Sequence, residues 1–164
     1  MRKGILFGLI VISLSACLKQ VDYPNRPDLE YIGFFANPNA TNPADSLGFV
    51  KFGFTDGDGD LGLNQADTLD QFAQGQPYYY NLFIRYFEKQ NGEYVEVVPP
   101  LPFHVRFNRL TAVGGNGALE GQMDVGVVAR PGTIYDTIRY EMYIVDRALQ
   151  HSDTIVTPDI VMPF

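Results

Sequence analysis

Ile138-Arg139-Tyr140-Glu141-Met142-Tyr143-Ile144 places Ile138, Tyr140, Met142 and Ile144 on one side of an extended chain, with Arg139 and Glu141 opposite. A period of two marks a strand with one buried face. The pattern recurs on both sides of it. Upstream, residues 122–129 read as a strand turned by Arg130-Pro131-Gly132. Downstream, residues 154–162 read as the last strand, and Pro158 puts it at a sheet edge, where a missing N–H is tolerated.

Further out, Phe103, Val105 and Phe107 alternate, and residues 78–89 form a long aromatic run answered by residues 94–98. Asn91-Gly92 joins those two, and both residues accept the positive φ of a type I′ hairpin turn. Val50, Phe52 and Phe54 alternate with Lys51 and Gly53, and residues 30–36 supply a first strand. Apart from a short helical turn near residues 67–72, nothing has the period of a helix. Aromatic residues make up 13% of the chain although Trp is absent, a bias that suits strands. Some seven or eight antiparallel strands at short spacing predict an all-β, immunoglobulin-like or fibronectin-III-like sandwich, with a small barrel as the other form.

The strand carrying Val50, Phe52 and Phe54 runs into Asp56-Gly57-Asp58-Gly59-Asp60-Leu61-Gly62. Three carboxylates at alternate positions converge when the backbone curls, and the glycines permit the curl. Ca²⁺ takes six to eight oxygen ligands, so Asp56, Asp58 and Asp60, with Asp67 or Asp70 completing the shell, are candidate ligands. The loop is not an EF-hand. Leu61 stands where that motif needs glycine, and Asp67 is too short to replace its bidentate Glu. A solvated Asp/Gly turn has the same composition, so both readings stay open.

At the N-terminus, Arg2 and Lys3 precede an apolar run over residues 4–13, which is shorter than the ~20 residues of a membrane-spanning helix. Leu14-Ser15-Ala16-Cys17 follows and resembles the lipobox of bacterial lipoproteins. The resemblance implies cleavage before Cys17, lipid on Cys17, and an outer-membrane address in the cell envelope. Residues 1–16 are then a signal peptide, 17–28 a lipidated tether containing Pro24 and Pro27, and 29–164 the sandwich domain. Cys17 is the sole cysteine, so its acylation leaves no disulfide within the chain. The cleaved chain keeps ten basic against nineteen acidic residues, a formal charge of −9, which argues against nucleic acid as a partner.

The chain as a whole resembles the small envelope lipoproteins of the Bacteroidetes. The resemblance rests on the lipobox, on Phe52-Gly53-Phe54 entering the Asp-Gly loop, and on Ile144-Val145-Asp146-Arg147 closing a late strand. It implies an address and a fold, and carries over no catalytic residue. Asp45-Ser46-Leu47, Asp67-Thr68-Leu69, Asp136-Thr137-Ile138 and Asp153-Thr154-Ile155 are similar to the O-glycosylation sequon of exported proteins in that phylum.

Catalytic constellations are weak. His104 and His151 lack ligand-type spacing, and His104 is expected to face outward from its strand. Alternation would put Tyr79 opposite Tyr78 and Tyr80, which breaks up a sugar platform. The expectation is therefore a non-enzymatic binding or structural module of the envelope with an envelope protein partner. A carbohydrate-binding or carbohydrate-degrading factor is the alternative, with a glycan ligand the less favoured partner.

Overall fold

The computed structural model describes residues 22–37, 47–111, 117–128 and 134–161. Eight strands are formed there: β1 (Asp28–Asn37), β2 (Leu47–Asp56), β3 (Leu82–Gln90), β4 (Glu93–Glu96), β5 (Leu119–Val128), β6 (Thr137–Ile144), β7 (Ile155–Val156) and β8 (Ile160–Val161). Every strand pairing is antiparallel. One sheet has the order β1-β2-β5; the other has β4-β3-β6-β7, with β8 also along β6. The two sheets pack face to face as an all-β, antiparallel sandwich.

Inward-facing columns from both sheets fill the space between them. Val50, Phe52 and Phe54 of β2 meet Leu82, Ile84 and Tyr86 of β3 and Ile138, Tyr140, Met142 and Ile144 of β6 in one buried cluster. The outer face of β6 carries the predicted charges, paired as Arg139–Glu141 at 3.0 Å and Arg85–Glu141 at 3.1 Å. The β3–β4 hairpin turns at Asn91 (φ 53°) and Gly92 (φ 90°), as a type I′ turn requires.

Three strand expectations are corrected. Residues 78–81 precede β3 in turns, held by Tyr78 N–H to Gln71 O (3.0 Å) and Tyr79 N–H to Gln76 O (3.2 Å). Residues 103–107 run beside β3 without a full ladder. Val105 exchanges backbone bonds with Leu82, but the next ladder position is taken by a side chain, His104 Nδ1 accepting from Ile84 N–H at 3.0 Å. The final strand splits into β7 and β8 at Pro158; Thr157 bridges the break, its Oγ1 accepting from Tyr140 N–H at 3.0 Å.

The tether is also shorter than expected. Asp28 already belongs to β1, and Pro27 is fully buried. Tyr23 donates to Glu120 Oε2 at 2.6 Å, Pro24 O accepts from Gly57 N–H at 2.8 Å, and Arg26 Nε donates to His151 O at 2.6 Å. Residues 23–27 form an arm docked on the end of the sandwich where β2 finishes.

Candidate metal centre

The aspartate loop begins inside the sandwich. In β2 every second residue is buried, and the column Val50, Phe52, Phe54 continues by one step to Asp56, which is fully buried. Asp56 Oδ2 accepts from Asp60 N–H at 2.8 Å and closes the chain into a tight turn. Gly59, at φ 67°, fits because a Cβ there would lie 1.8 Å from Gly117 O; its own carbonyl accepts from Arg109 at 3.0 Å. Beyond the turn, buried Leu61 and Leu63 fasten the loop, with Leu61 O accepting from Leu110 N–H at 3.0 Å.

This curl brings Asp56, Asp58 and Asp60 together, each offering a carboxylate oxygen within 4.8 Å of the others. Asp56 is buried, Asp60 half-buried and Asp58 exposed. Hydrogen bonds leave part of the group unsatisfied. Asp60 Oδ2 accepts from Ala148 N–H at 3.0 Å, whereas Asp60 Oδ1 and Asp56 Oδ1 are buried with no partner. Asp146 Oδ2, in the turn after β6, is in the same condition.

Electrostatics follow from that crowding. Burial, then the charge of Asp58, pushes Asp56 up to about 7, with Asp60 and Asp146 adding to the rise against the Asp60 amide. Asp60 is raised first by burial and then by Asp58, and is opposed by the Ala148 and Arg147 amides. Asp146 rises to about 6, through burial and then the charges of Asp60 and Asp58, against the Gln150 and Ala148 amides. Such a group is neutralised by protons or by a cation. The Asp56-Asp58-Asp60 cluster can hold a metal ion, and its spacing fits within the ~5 Å that two Ca–O bonds span.

Asp67 is placed elsewhere. Its carboxylate pairs with Arg147 and accepts from Asn64 N–H at 2.6 Å. Burial alone would raise it, but Arg147, the Asn64 amide and Arg106 hold it below the ordinary carboxylate value. Asp70 is exposed at φ 50° and opens the 3-10 turn Asp70–Phe72. Among the described residues the metal-type cluster contains neither of them, nor does it contain Asp146. Cys17 and Ser46 lie outside the described residues.

The histidines and tyrosines have packing roles. His104 lies on the outer face, as expected, with Phe103 and Val105 packed inward on either side, and is half-buried there against Tyr80 and Phe83 (ring centroids 5.7 and 5.1 Å). Burial lowers its pKa. His151 stacks on Tyr143 at 5.5 Å and meets Tyr78 edge-on. Tyr79 lies beneath Arg106 and edge-on to Tyr80, so the three consecutive tyrosines form no single platform.

Sequence reasoning reached the three loop aspartates through their spacing but missed Asp146. The available signal was its place two residues beyond Ile144, which continues the inward column of β6 just as Asp56 continues that of β2. No family model matches the chain, and neither a curated protein nor a solved structure is significantly similar to it.

Proposed function

We propose that this protein is a lipid-anchored, non-enzymatic binding or structural module of the bacterial cell envelope, held at the outer membrane through Cys17. The observation that carries the proposal is Leu14-Ser15-Ala16-Cys17 after a basic start and a short apolar run. No helix among the described residues is long and apolar enough to cross a membrane. In this reading the sandwich is a rigid scaffold, and its loops do the recognising, as an accessory subunit of an envelope assembly.

Ca²⁺ is the cation we assign to the Asp56-Asp58-Asp60 loop. Carboxylate oxygens are hard ligands, and the partnerless buried oxygens of Asp56 and Asp60 support a cation over a solvated turn. The ion braces the loop and performs no chemistry.

The address is tested in cells expressing the full chain and fed labelled palmitate. The wild type should incorporate label and sediment with outer membranes, and Cys17→Ala should do neither. Equal labelling and fractionation of the two would overturn the proposal.

A further inference from the structure

Two strands on opposite sheets end their buried columns in the same way. In β2 the column is Val50, Phe52, Phe54, Asp56; in β6 it is Ile138, Tyr140, Met142, Ile144, and the next step is Asp146. Asp56 and Asp146 are 0% and 1% exposed, although aspartate is among the residues least often buried whole. Each satisfies one oxygen locally, Asp56 Oδ2 through Asp60 N–H at 2.8 Å and Asp146 Oδ1 through Gln150 N–H at 2.7 Å. Each leaves its other oxygen buried with no donor.

The two segments are joined through one amide. Ala148 N–H, in the turn that follows Asp146, donates to Asp60 Oδ2 at 3.0 Å. The turn that carries Asp146 therefore packs on the loop that carries Asp60. Of the neighbouring cations, Arg147 turns away to Asp67, and Arg109, which donates to Gly59 O at 3.0 Å, acts on Asp60. Partnerless carboxylate oxygens in a dry site are costly unless a positive charge lies between them.

We propose that Asp146 is the fourth carboxylate of the cation site, so that one Ca²⁺ bound by Asp56, Asp58, Asp60 and Asp146 ties the end of the three-stranded sheet to the end of the five-stranded sheet. The proposal rests on the reading of the aspartate loop as a Ca²⁺ site. Four carboxylates supply a core of hard oxygen ligands, and exposed Asp58 leaves a side where water completes the six to eight that Ca²⁺ takes. The ion would fix the turn after β6 by a second means besides the Asp67–Arg147 pair.

Asp146→Asn is the informative variant. Its Oδ1 keeps the acceptor for Gln150 N–H, while the partnerless oxygen becomes an amide and the charge is lost. The full-length protein in detergent, stripped with EDTA, is titrated with CaCl₂ by calorimetry at neutral pH. The wild type should bind one ion, Asp146→Asn should bind at least tenfold more weakly, and Asp67→Asn should match the wild type. Hydrogen exchange on the wild type alone supplies a readout independent of how the variant folds: Ca²⁺ should slow the amides of Ala148 and Gln150. Unchanged affinity in Asp146→Asn, equal losses in both variants, or no Ca²⁺-dependent slowing in that turn would overturn the role of Asp146 and leave the three-aspartate loop standing. No binding by the wild type at millimolar CaCl₂ would remove the Ca²⁺ reading itself, and this proposal with it.

Discussion

His104 uses a ring nitrogen where a strand would use a carbonyl. Nδ1 accepts from Ile84 N–H, so the ring is neutral with its proton on Nε2. Burial places its folded pKa below the ordinary 6.5. The unfolded chain then takes up this proton first, so the neutral ring contributes full stability above pH 6.5 and loses it as the pH falls from there towards the folded value. His104→Asn, whose Oδ1 can stand in for Nδ1, should keep the bond and lose that pH dependence. His104→Ala should cost about 1–3 kcal/mol by leaving the Ile84 amide without a partner. Urea unfolding of the three proteins between pH 7.5 and 5.5 measures both effects, and parallel pH profiles for wild type and Asn would refute the assignment. Residue roles of this kind were poorly legible in the sequence. Alternation put His104 on the right side of its strand, but the substitution of its side chain for a backbone acceptor has no local signature. Asp56, Asp58 and Asp60 were legible because their convergence is local. Asp146 was not, because its neighbours come from a loop far back in the chain.

Elements followed the sequence where one hydrogen-bond pattern ran unbroken. β2 and β6 appear where period-two alternation placed them, and the Asn91-Gly92 turn lies where its two positive-φ residues required it. Prediction failed where a side chain or a proline interrupts the ladder, as at Thr157-Pro158 and at Asn81, whose Oδ1 accepts from Phe107 N–H at 2.8 Å. Gly92 offers a clean test of turn chemistry, because a Cβ there meets nothing within 4 Å and only the backbone conformation opposes a side chain. Gly92→Val should therefore destabilise the protein by roughly 1–2 kcal/mol, the cost of forcing an L-residue into a left-handed conformation. Thermal and chemical unfolding should show that loss while Ca²⁺ affinity is unchanged. A cost below a few tenths would mean the hairpin turn adopts another form. The contrast is Gly59, where the same change would also drive Cβ into Gly117 O.

At the scale of the whole molecule, a cation bound only by the folded state must stabilise it. At a hundredfold excess over Kd the gain is about 2.7 kcal/mol, or roughly 5–10 °C in Tm for a domain of this size. Calorimetric scans with CaCl₂ should show that rise, EDTA should reverse it, and Asp58→Ala should abolish it. A Tm indifferent to millimolar CaCl₂ would return the loop to a solvated turn. The docked arm carries a different consequence, one of orientation. Pro24 is fixed to Gly57 beside the aspartate loop, and Cys17 stands seven residues earlier. Whatever path those residues take, they span at most about 25 Å. Ten-residue strands such as β1 and β2 run for about 33 Å, so the leash is shorter than the body it holds. With the lipid we propose on Cys17, the sandwich would stand on its aspartate end, facing the bilayer. The Asn91-Gly92 turn would point away from the membrane.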